Sequence, residues 1–446
     1  MFGIDKKYLF LVGFHVLLGA LFFAVNSFSK PYSLLVLVVG TYYIFKNRNA
    51  NDEALLAAAY AVGCEVMMRM TGGAVLYEFG KYSVIFFLLF GTYYTGFSKN
   101  GVVYWIFLLL LVPGIVIATQ TLSENVDMRK TIIFNVSGPV SLSIAALYCY
   151  SRKISFDQFQ NILLCLGLPV ITVAIYLMIF TPDIRESVTG TGSNFATSGG
   201  FGPNQVSTML GLGMFIFISR VIFKSPNLPI VIFNLAIAIL IGFRGLVTFS
   251  RGGMITSVIM ILLLAFVIFS KTNSRGRQKM TMVVVFGTIS FVAIWTYSSV
   301  LTGGLIEKRY NNQDAAGRVK ESQSSGRGEI AETEINSFLD SPFLGIGVGR
   351  GADLRADSEG TSLSHSEITR MLAEHGSLGI LGLLILCITP IVLYADNKQH
   401  FFLLSMLIFW LLTINHAAMR LAAPGFVYAL SILKVTYLET PAVHRE

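Results

Sequence analysis

Charge is what this 446-residue sequence has least of. Asp, Glu, Lys and Arg together make up 13% of it, about half of what a soluble domain carries. It also has few cysteines. Cys64, Cys149, Cys165 and Cys387 all lie in or beside apolar runs, which excludes a disulfide framework and leaves packing as their role. No His/Cys group has metal-ligand spacing, no two carboxylates form a tight pair, and no serine sits in a nucleophile elbow. Internal repeats are absent as well. Metal-dependent hydrolysis and serine-hydrolase chemistry therefore have no residues to work with.

Apolar residues fill the space instead: 54% of the chain is hydrophobic and the mean hydropathy is +0.67. Runs long enough to span a bilayer recur from end to end. Fourteen candidate spans lie near 8–25, 32–46, 53–70, 82–97, 101–118, 131–149, 160–180, 204–223, 228–249, 252–270, 280–299, 375–396, 400–416 and 423–438. The second, third, thirteenth and last are short, and if two of them are re-entrant the total is twelve. The run 8–25 lacks a following signal-cleavage pattern, so it reads as a span.

Orientation follows from the basic loops. With the N-terminus in the cytoplasm, KNRN (46–49), YSRK (150–153), FK (223–224), SKTNSRGRQK (270–279) and DNK (396–398) all fall inside, as the positive-inside rule requires. The net charge of +8 is then a topology signal, and nucleic acid is not expected as a partner. Two long loops face out: 181–203, rich in Gly, Ser and Thr, and 300–374, mildly acidic with eight basic and twelve acidic residues. Neither has apolar residues enough for a core of its own, so both are expected to roof the membrane part. The chain thus divides into spans over 1–299, the large loop over 300–374 and C-terminal spans over 375–446.

Within the large loop, SSGRGEIAETEINSFLDSP reads as one amphipathic helix. Ser325 would cap it, and Ala331, Ile335 and Phe338 would share a face. Pro342 ends it. GIGVGRG (345–351) follows as a flexible connector; it lacks the strand and the Lys-Ser/Thr of a phosphate loop. DSE (357–359) reads as a solvated acidic stretch. TSLSHSEITRMLAEHGSLG (361–379) then opens the next apolar run. Ser364 and Glu367 have capping-box spacing, which would set His365 at the first helical position. There the helix dipole would keep its imidazole neutral and would attract an anion.

A second polar stretch is GFRGLVTFSRGG (242–253), at an outward turn. Ser250 or Thr248 would cap there, with the paired glycines allowing a tight turn and Arg251 at its tip. Arg244 lies two helical turns below, where a charge is costly unless paired or wet. Arg327 and Arg309 are further guanidinium candidates, with Arg318 and Arg185 behind them. Glu65 and Arg69 are spaced for an ion pair within the third span. His416 lacks supporting groups. Arginines bind phosphate in bidentate fashion, and a near-neutral histidine takes a proton from an attacking hydroxyl. The pattern suits transfer from a lipid-linked pyrophosphate to an alcohol.

Taken together, SRGG (250–253), SGR (325–327), SPFLGIGVG (341–349) and HSEITRMLAEHGSLG (365–379) resemble the bacterial O-antigen polymerase and O-antigen ligase superfamily. GGFGPNQVS (199–207) is similar to a segment of such proteins. The resemblance spans roughly 200–385. It implies an all-α polytopic membrane protein of about 12–14 transmembrane helices, GT-C-like, in the bacterial inner membrane with its active site periplasmic. It also implies a metal-independent, inverting glycosyltransferase that needs no cofactor and takes a glycan from undecaprenyl pyrophosphate. By the same resemblance His365 would be the base on the acceptor hydroxyl, and Arg251 and Arg327 would hold the pyrophosphate. Arg244, Arg309, Asn204 and Glu374 complete the expected substrate-binding set. Ser366 stands where many members have Asn.

The expected partners are the bilayer, the lipid-linked donor and a glycan or lipid A-core acceptor, with a chain-length regulator as a further candidate. A polymerase joins repeat units; a ligase moves the finished polymer to the core. The count of spans leans toward the polymerase. A transporter of lipid-linked oligosaccharide would show internal repeats and polar residues at mid-membrane. A metal-dependent oligosaccharyltransferase would carry acids in the first outer loop, and NSFSKP (26–31) has none.

Overall fold

The computed structural model describes residues 6–320, 327–359 and 364–437. They form an all-α bundle. The first half comprises α1 (Lys6–Ala24), α2 (Ser29–Asn47), α3 (Glu53–Met70), α4 (Phe79–Thr95), α5 (Val102–Thr121), α6 (Met128–Cys149) and α7 (Phe156–Phe180). After the short α8 (Ile184–Ser187) come α9 (Pro203–Phe223), α10 (Leu228–Leu246), α11 (Arg251–Lys271) and α12 (Ser274–Leu301). The large loop holds α13 (Leu305–Tyr310), α14 (Arg327–Asp340) and α15 (Arg350–Glu359); α16 (Glu367–Asp396), α17 (Leu403–Ala417) and α18 (Ala423–Ser431) follow. Polar residues mark several starts. Asp127 accepts from the Lys130 amide, Asn227 from that of Ile230, and Ser155 forms a capping box with Gln158, each satisfying donors a helix leaves open.

Among the described residues, ten helices are long and apolar enough to cross a membrane, fewer than the fourteen runs in the sequence. The remaining four have plain reasons. α3 carries Glu53, Glu65 and Arg69, whereas α4, α17 and α18 have 17, 15 and 9 residues. Short helices of this kind are tolerated where neighbours bury them, and α18 is buried along its whole length. The loops 181–203 and 300–374 emerge on one side, where the Thr191 hydroxyl donates to the Gln313 carbonyl at 2.8 Å. That side is called the loop side below. At the opposite end β1 (Lys153–Ser155) pairs in parallel with β2 (Lys434–Thr436).

Small residues let the central helices approach closely. A Cβ on Gly211 of α9 would stand 2.4 Å from the Gly253 carbonyl oxygen of α11, and one on Gly253 would stand 2.3 Å from the Ser207 carbonyl carbon. The glycine pair at 252–253 therefore serves helix packing. The left-handed turn residue is Phe249 (φ 58°). α16 is not one straight rod. Gly376 (φ 59°, ψ −139°) breaks it into two helices, a conformation that glycine adopts without steric cost.

Buried charge concentrates near the loop side. Arg69 pairs with Glu65 at 2.8 Å, as their spacing predicts, and with Glu78 at 3.1 Å; Lys81 reaches Glu78 at 2.8 Å. Glu65 also accepts the Ala422 amide at 2.8 Å. Ions this deep persist only when paired inside the bundle. Arg69→Ala leaves the buried Glu65 carboxylate without its cation, while Glu78 keeps Lys81, and is expected to cost about 3–5 kcal/mol, read as a lower thermal midpoint in detergent. A midpoint equal to wild type would mean the network carries no stability.

Candidate active site

The peptide around His365 sits where the large loop meets α16. Helix α16 begins at Glu367, and its cap is Ser366 (φ −110°, ψ 120°), whose hydroxyl accepts the Thr369 amide at 3.4 Å. His365 therefore precedes the cap and does not occupy the first helical position expected from a Ser364 capping box. The reason is competition for Glu367. Arg370 pairs with it, and it accepts the Met419 amide at 3.4 Å, so it does not reach back to Ser364. The Ser364 hydroxyl instead donates to Glu334 at 3.2 Å and to the Ser366 carbonyl at 3.0 Å.

Four contacts from outside α16 hold this tripeptide. Glu334 of α14 grips Ser364, and the Arg420 guanidinium donates to the Ser364 carbonyl at 2.7 Å. The Ala418 amide donates to the His365 carbonyl at 3.0 Å, and the Ser366 hydroxyl donates to Asn415 at 3.0 Å. Ala418 adopts a positive φ of 48°, an uncommon state that costs about 1–3 kcal/mol for a residue other than glycine. The turn between α17 and α18 thus spends conformational energy to present its amide to His365. The His365 side chain is half-buried.

That turn also touches the second cluster. A Cβ on Gly252 would meet the His416 ring at 2.6 Å, so the start of α11 lies against the residues that fix His365. His416 Nε2 lies 3.3 Å from the Thr208 hydroxyl, and its Nδ1 lies 3.1 Å from the Leu412 carbonyl. The Ser250 hydroxyl donates to Asn204 at 2.7 Å, one residue before Arg251. Arg309 donates to the Phe249 carbonyl at 2.9 Å and to the Ser193 hydroxyl at 3.3 Å. Burial pushes the Tyr310 phenol up to about 12, with the nearby Arg251 and Arg309 pulling the other way. Among the described residues Arg251 has no carboxylate partner.

Asn204, Arg251, Arg309 and His365 therefore share one end of the bundle. Other expected residues are differently placed. Arg244 is not on the face of Arg251's helix; it is buried in α10 and donates to the Thr181 carbonyl at 3.4 Å and to that of Thr197 at 3.2 Å. It ties the 181–203 loop to the bundle. Glu374 is buried, accepting Arg370 at 2.8 Å and the Gly349 amide at 2.9 Å. Arg327 opens α14, but its side chain lies outside the described residues, as do Ser325 and the side chains of Asp357–Glu359. Arg318 pairs with Asp314 at 2.8 Å, and Arg185 is exposed in α8.

The packed face of α14 also differs from the expected one. Ile330 and Glu334 are buried, whereas Ile335 is 43% exposed. Glu334 lies 3.5 Å from Arg355 of α15. A polar cavity lined by Lys81, Asn135, Glu334, Arg355, Arg370 and Arg420 opens beside Ser364 and Ala418. Its four bases face three carboxylates, Glu334, Glu367 and Glu374, so most of its positive charge is compensated, in contrast to the Arg251 end.

Sequence reasoning missed Glu334, Asn415, Ala418 and Arg420. None has a motif around it. Each acts by reaching His365's neighbours from a helix or turn distant in sequence. Losing the Arg420 bond is expected to release the Ser364–Thr369 peptide. A hydrogen bond worth about 1–3 kcal/mol translates to roughly tenfold or faster amide exchange there in Arg420→Ala, with α7 unchanged. Equal exchange in both proteins would show that the guanidinium does not hold the peptide.

No curated protein matches the chain. Residues 235–384 match the family model described as O-antigen ligase, a segment that contains Arg251, Arg309, Arg327 and His365 and leaves out Asn204. Over that segment, 150 of the 446 residues, the chain is similar to the O-antigen ligase family.

Proposed function

We propose that this protein transfers a glycan from undecaprenyl pyrophosphate to a sugar hydroxyl on the periplasmic face of the bacterial inner membrane, acting as a polysaccharide polymerase. The observation that carries the reading is the His365 peptide, fixed by Glu334, Arg420 and Ala418 next to a helix start whose Arg251 has no carboxylate partner among the described residues. In this reading the His365 imidazole takes the proton of the acceptor hydroxyl. The acceptor oxygen attacks the anomeric carbon from the side opposite the pyrophosphate, so that carbon inverts. The bond to the pyrophosphate oxygen breaks, and the lipid pyrophosphate leaves with the electron pair. Arg251, Arg309 and Arg327 would neutralise it, a role in which fixed guanidiniums replace a metal ion. Asn204 would align the Arg251 turn through Ser250.

An apolar cleft of about 620 Å³ among α9, α10, α11 and α12, lined by residues such as Ile218, Leu235, Leu262 and Phe286, supports a polyprenyl donor. Arg244 and Glu374 would act indirectly, by holding the loops they bond. The second reading is the ligase, which moves a finished polymer to the lipid A core. It is favoured by the description of the matching family.

Three results test these assignments. His365→Ala is expected to abolish transfer while lipid-pyrophosphate binding survives, because the base acts on the acceptor; near-wild-type turnover would remove it as the base. Arg251→Lys should be almost as damaging as Arg251→Ala, since a point charge does not reproduce a bidentate fork; full rescue by lysine would argue against pyrophosphate binding there. Supplied with lipid-linked repeat units alone, the purified protein should give laddered products. Product formed only when core acceptor is added would make it a ligase.

A further inference from the structure

The large loop does not simply hang above the membrane. Between α14 and α15, the stretch Ser341–Gly349 runs down the side of the bundle. The Thr121 hydroxyl at the end of α5 donates to the Ile346 carbonyl at 3.0 Å, and the Val348 amide donates to the Gly114 carbonyl at 3.1 Å. Gly114 lies seven residues inside the helix end, a depth of about 10 Å at the helical rise. Irregular backbone at such depth must find its hydrogen-bond partners within the protein, and every amide from Gly345 to Gly349 does. The amides of Gly345, Ile346, Gly347 and Val348 reach the carbonyls of Ser341, Ala373, Glu374 and Gly114, and that of Gly349 reaches the Glu374 carboxylate. The Pro342 carbonyl takes both the amide and the hydroxyl of Ser377. Gly345 and Gly347, at φ 73° and 96°, lie so close to α16 and α5 that a Cβ would fall within 3 Å of their backbones. The stretch expected to be a flexible connector is thus pinned throughout.

Its apolar side chains are not pinned. Phe343 is 78% exposed and Leu344 is 48% exposed, and the same edge continues up α14 through Leu339 (65%) and Ile335. Beside that edge Glu329, Glu332, Asn336 and Asp340 are exposed to solvent. α14 therefore has a side packed on α16, exposed polar residues, and an exposed apolar edge that is without a partner among the described residues. The two membrane-spanning helices to which this stretch is bonded, α5 and α16, also expose apolar side chains, Val112 and Val116 on α5 and Leu381 and Leu384 on α16.

We infer that Ile335, Leu339, Phe343 and Leu344 insert into the acyl region of the leaflet on the loop side. The occupant of this edge is lipid hydrocarbon, the solvent that already covers the adjoining helices. An interfacial helix buries its apolar face at the headgroup–acyl boundary and leaves its charged face in water, as the exposed apolar and polar residues of α14 require. The large loop is then held at the membrane surface by lipid as well as by its bonds to α5 and α16. The inference rests on the membrane-spanning helices and not on the transfer reaction.

The test uses single cysteines in place of Leu339, Phe343 and Asn336, in full-length protein whose four native cysteines are replaced by alanine. Each is labelled with an environment-sensitive fluorophore. The protein is then reconstituted in phosphatidylethanolamine–phosphatidylglycerol vesicles, with and without doxyl-labelled acyl chains. Leu339→Cys and Phe343→Cys should show blue-shifted emission that is lost with doxyl lipid; Asn336→Cys should show neither. Equal, unquenched emission at all three positions would overturn the inference. So would a blue shift at 339 and 343 that depends on protein concentration in detergent and is unaffected by doxyl lipid, which would assign the edge to a second copy. All three positions are exposed, so the folded protein tolerates them, and retained or lost transfer activity is read separately.

Discussion

A bilayer offers a buried polar group nothing to bond with, so every charge and every irregular stretch of backbone inside this bundle must be answered by another part of the protein. Arg69 and Lys81 meet that demand with Glu65 and Glu78. Arg244 meets it with two loop carbonyls, and Arg370 with Glu367 and Glu374. The run 345–349 meets it amide by amide. These bonds do more than satisfy their donors. The ion pairs are local, but the bonds of Arg244, of the amides from Ile346 to Gly349 and of Glu65 to the Ala422 amide join elements far apart in sequence, and these fix how the 181–203 loop, the large loop and the C-terminal turn sit against the bundle.

The His365 peptide is a product of that arrangement. Its position depends on Glu334 from the large loop and on Ala418 and Arg420 from the turn after α17. The start of α11 reaches the same turn through Gly252 and His416. A base that must remove a proton as a bond forms gains from such fixing, since positioning of the reacting groups is a large part of what an enzyme supplies. The same logic assigns different work to the two charged groups near the site. The network around Arg370 is largely compensated and holds shape; in the proposed reading the Arg251 end, without a carboxylate partner among the described residues, is where the pyrophosphate would bind.

Much of this was legible in the residues, and the limits of legibility have identifiable causes. Low charge and recurrent apolar runs specify a helical membrane protein, because no other secondary structure satisfies its own backbone in lipid within one segment. The Glu65–Arg69 pair was readable because its partners lie one helical turn apart. The capping of α16 was misplaced by two residues. Ser364–Glu367 and Ser366–Thr369 are equally good local patterns, and the choice fell to Arg370 and Met419, which occupy Glu367. The amphipathic face of α14 was misplaced for a similar reason. Periodicity finds the apolar arc, but the part of it that packs is set by α16.

The sequence by itself determined the class of fold, the membrane, and the residue types the site would hold, since composition and short-range spacing are enough to fix solvent and local structure. Only the tertiary structure decided which of those residues meet. It joined Ser364, beside His365, to Arg420 and Glu334, put His416 against the start of α11, turned Arg244 toward carbonyls, and drew the 345–349 stretch into the bundle. Those outcomes depend on contacts between segments tens to hundreds of residues apart, and no local pattern encodes which distant donor reaches a given acceptor first.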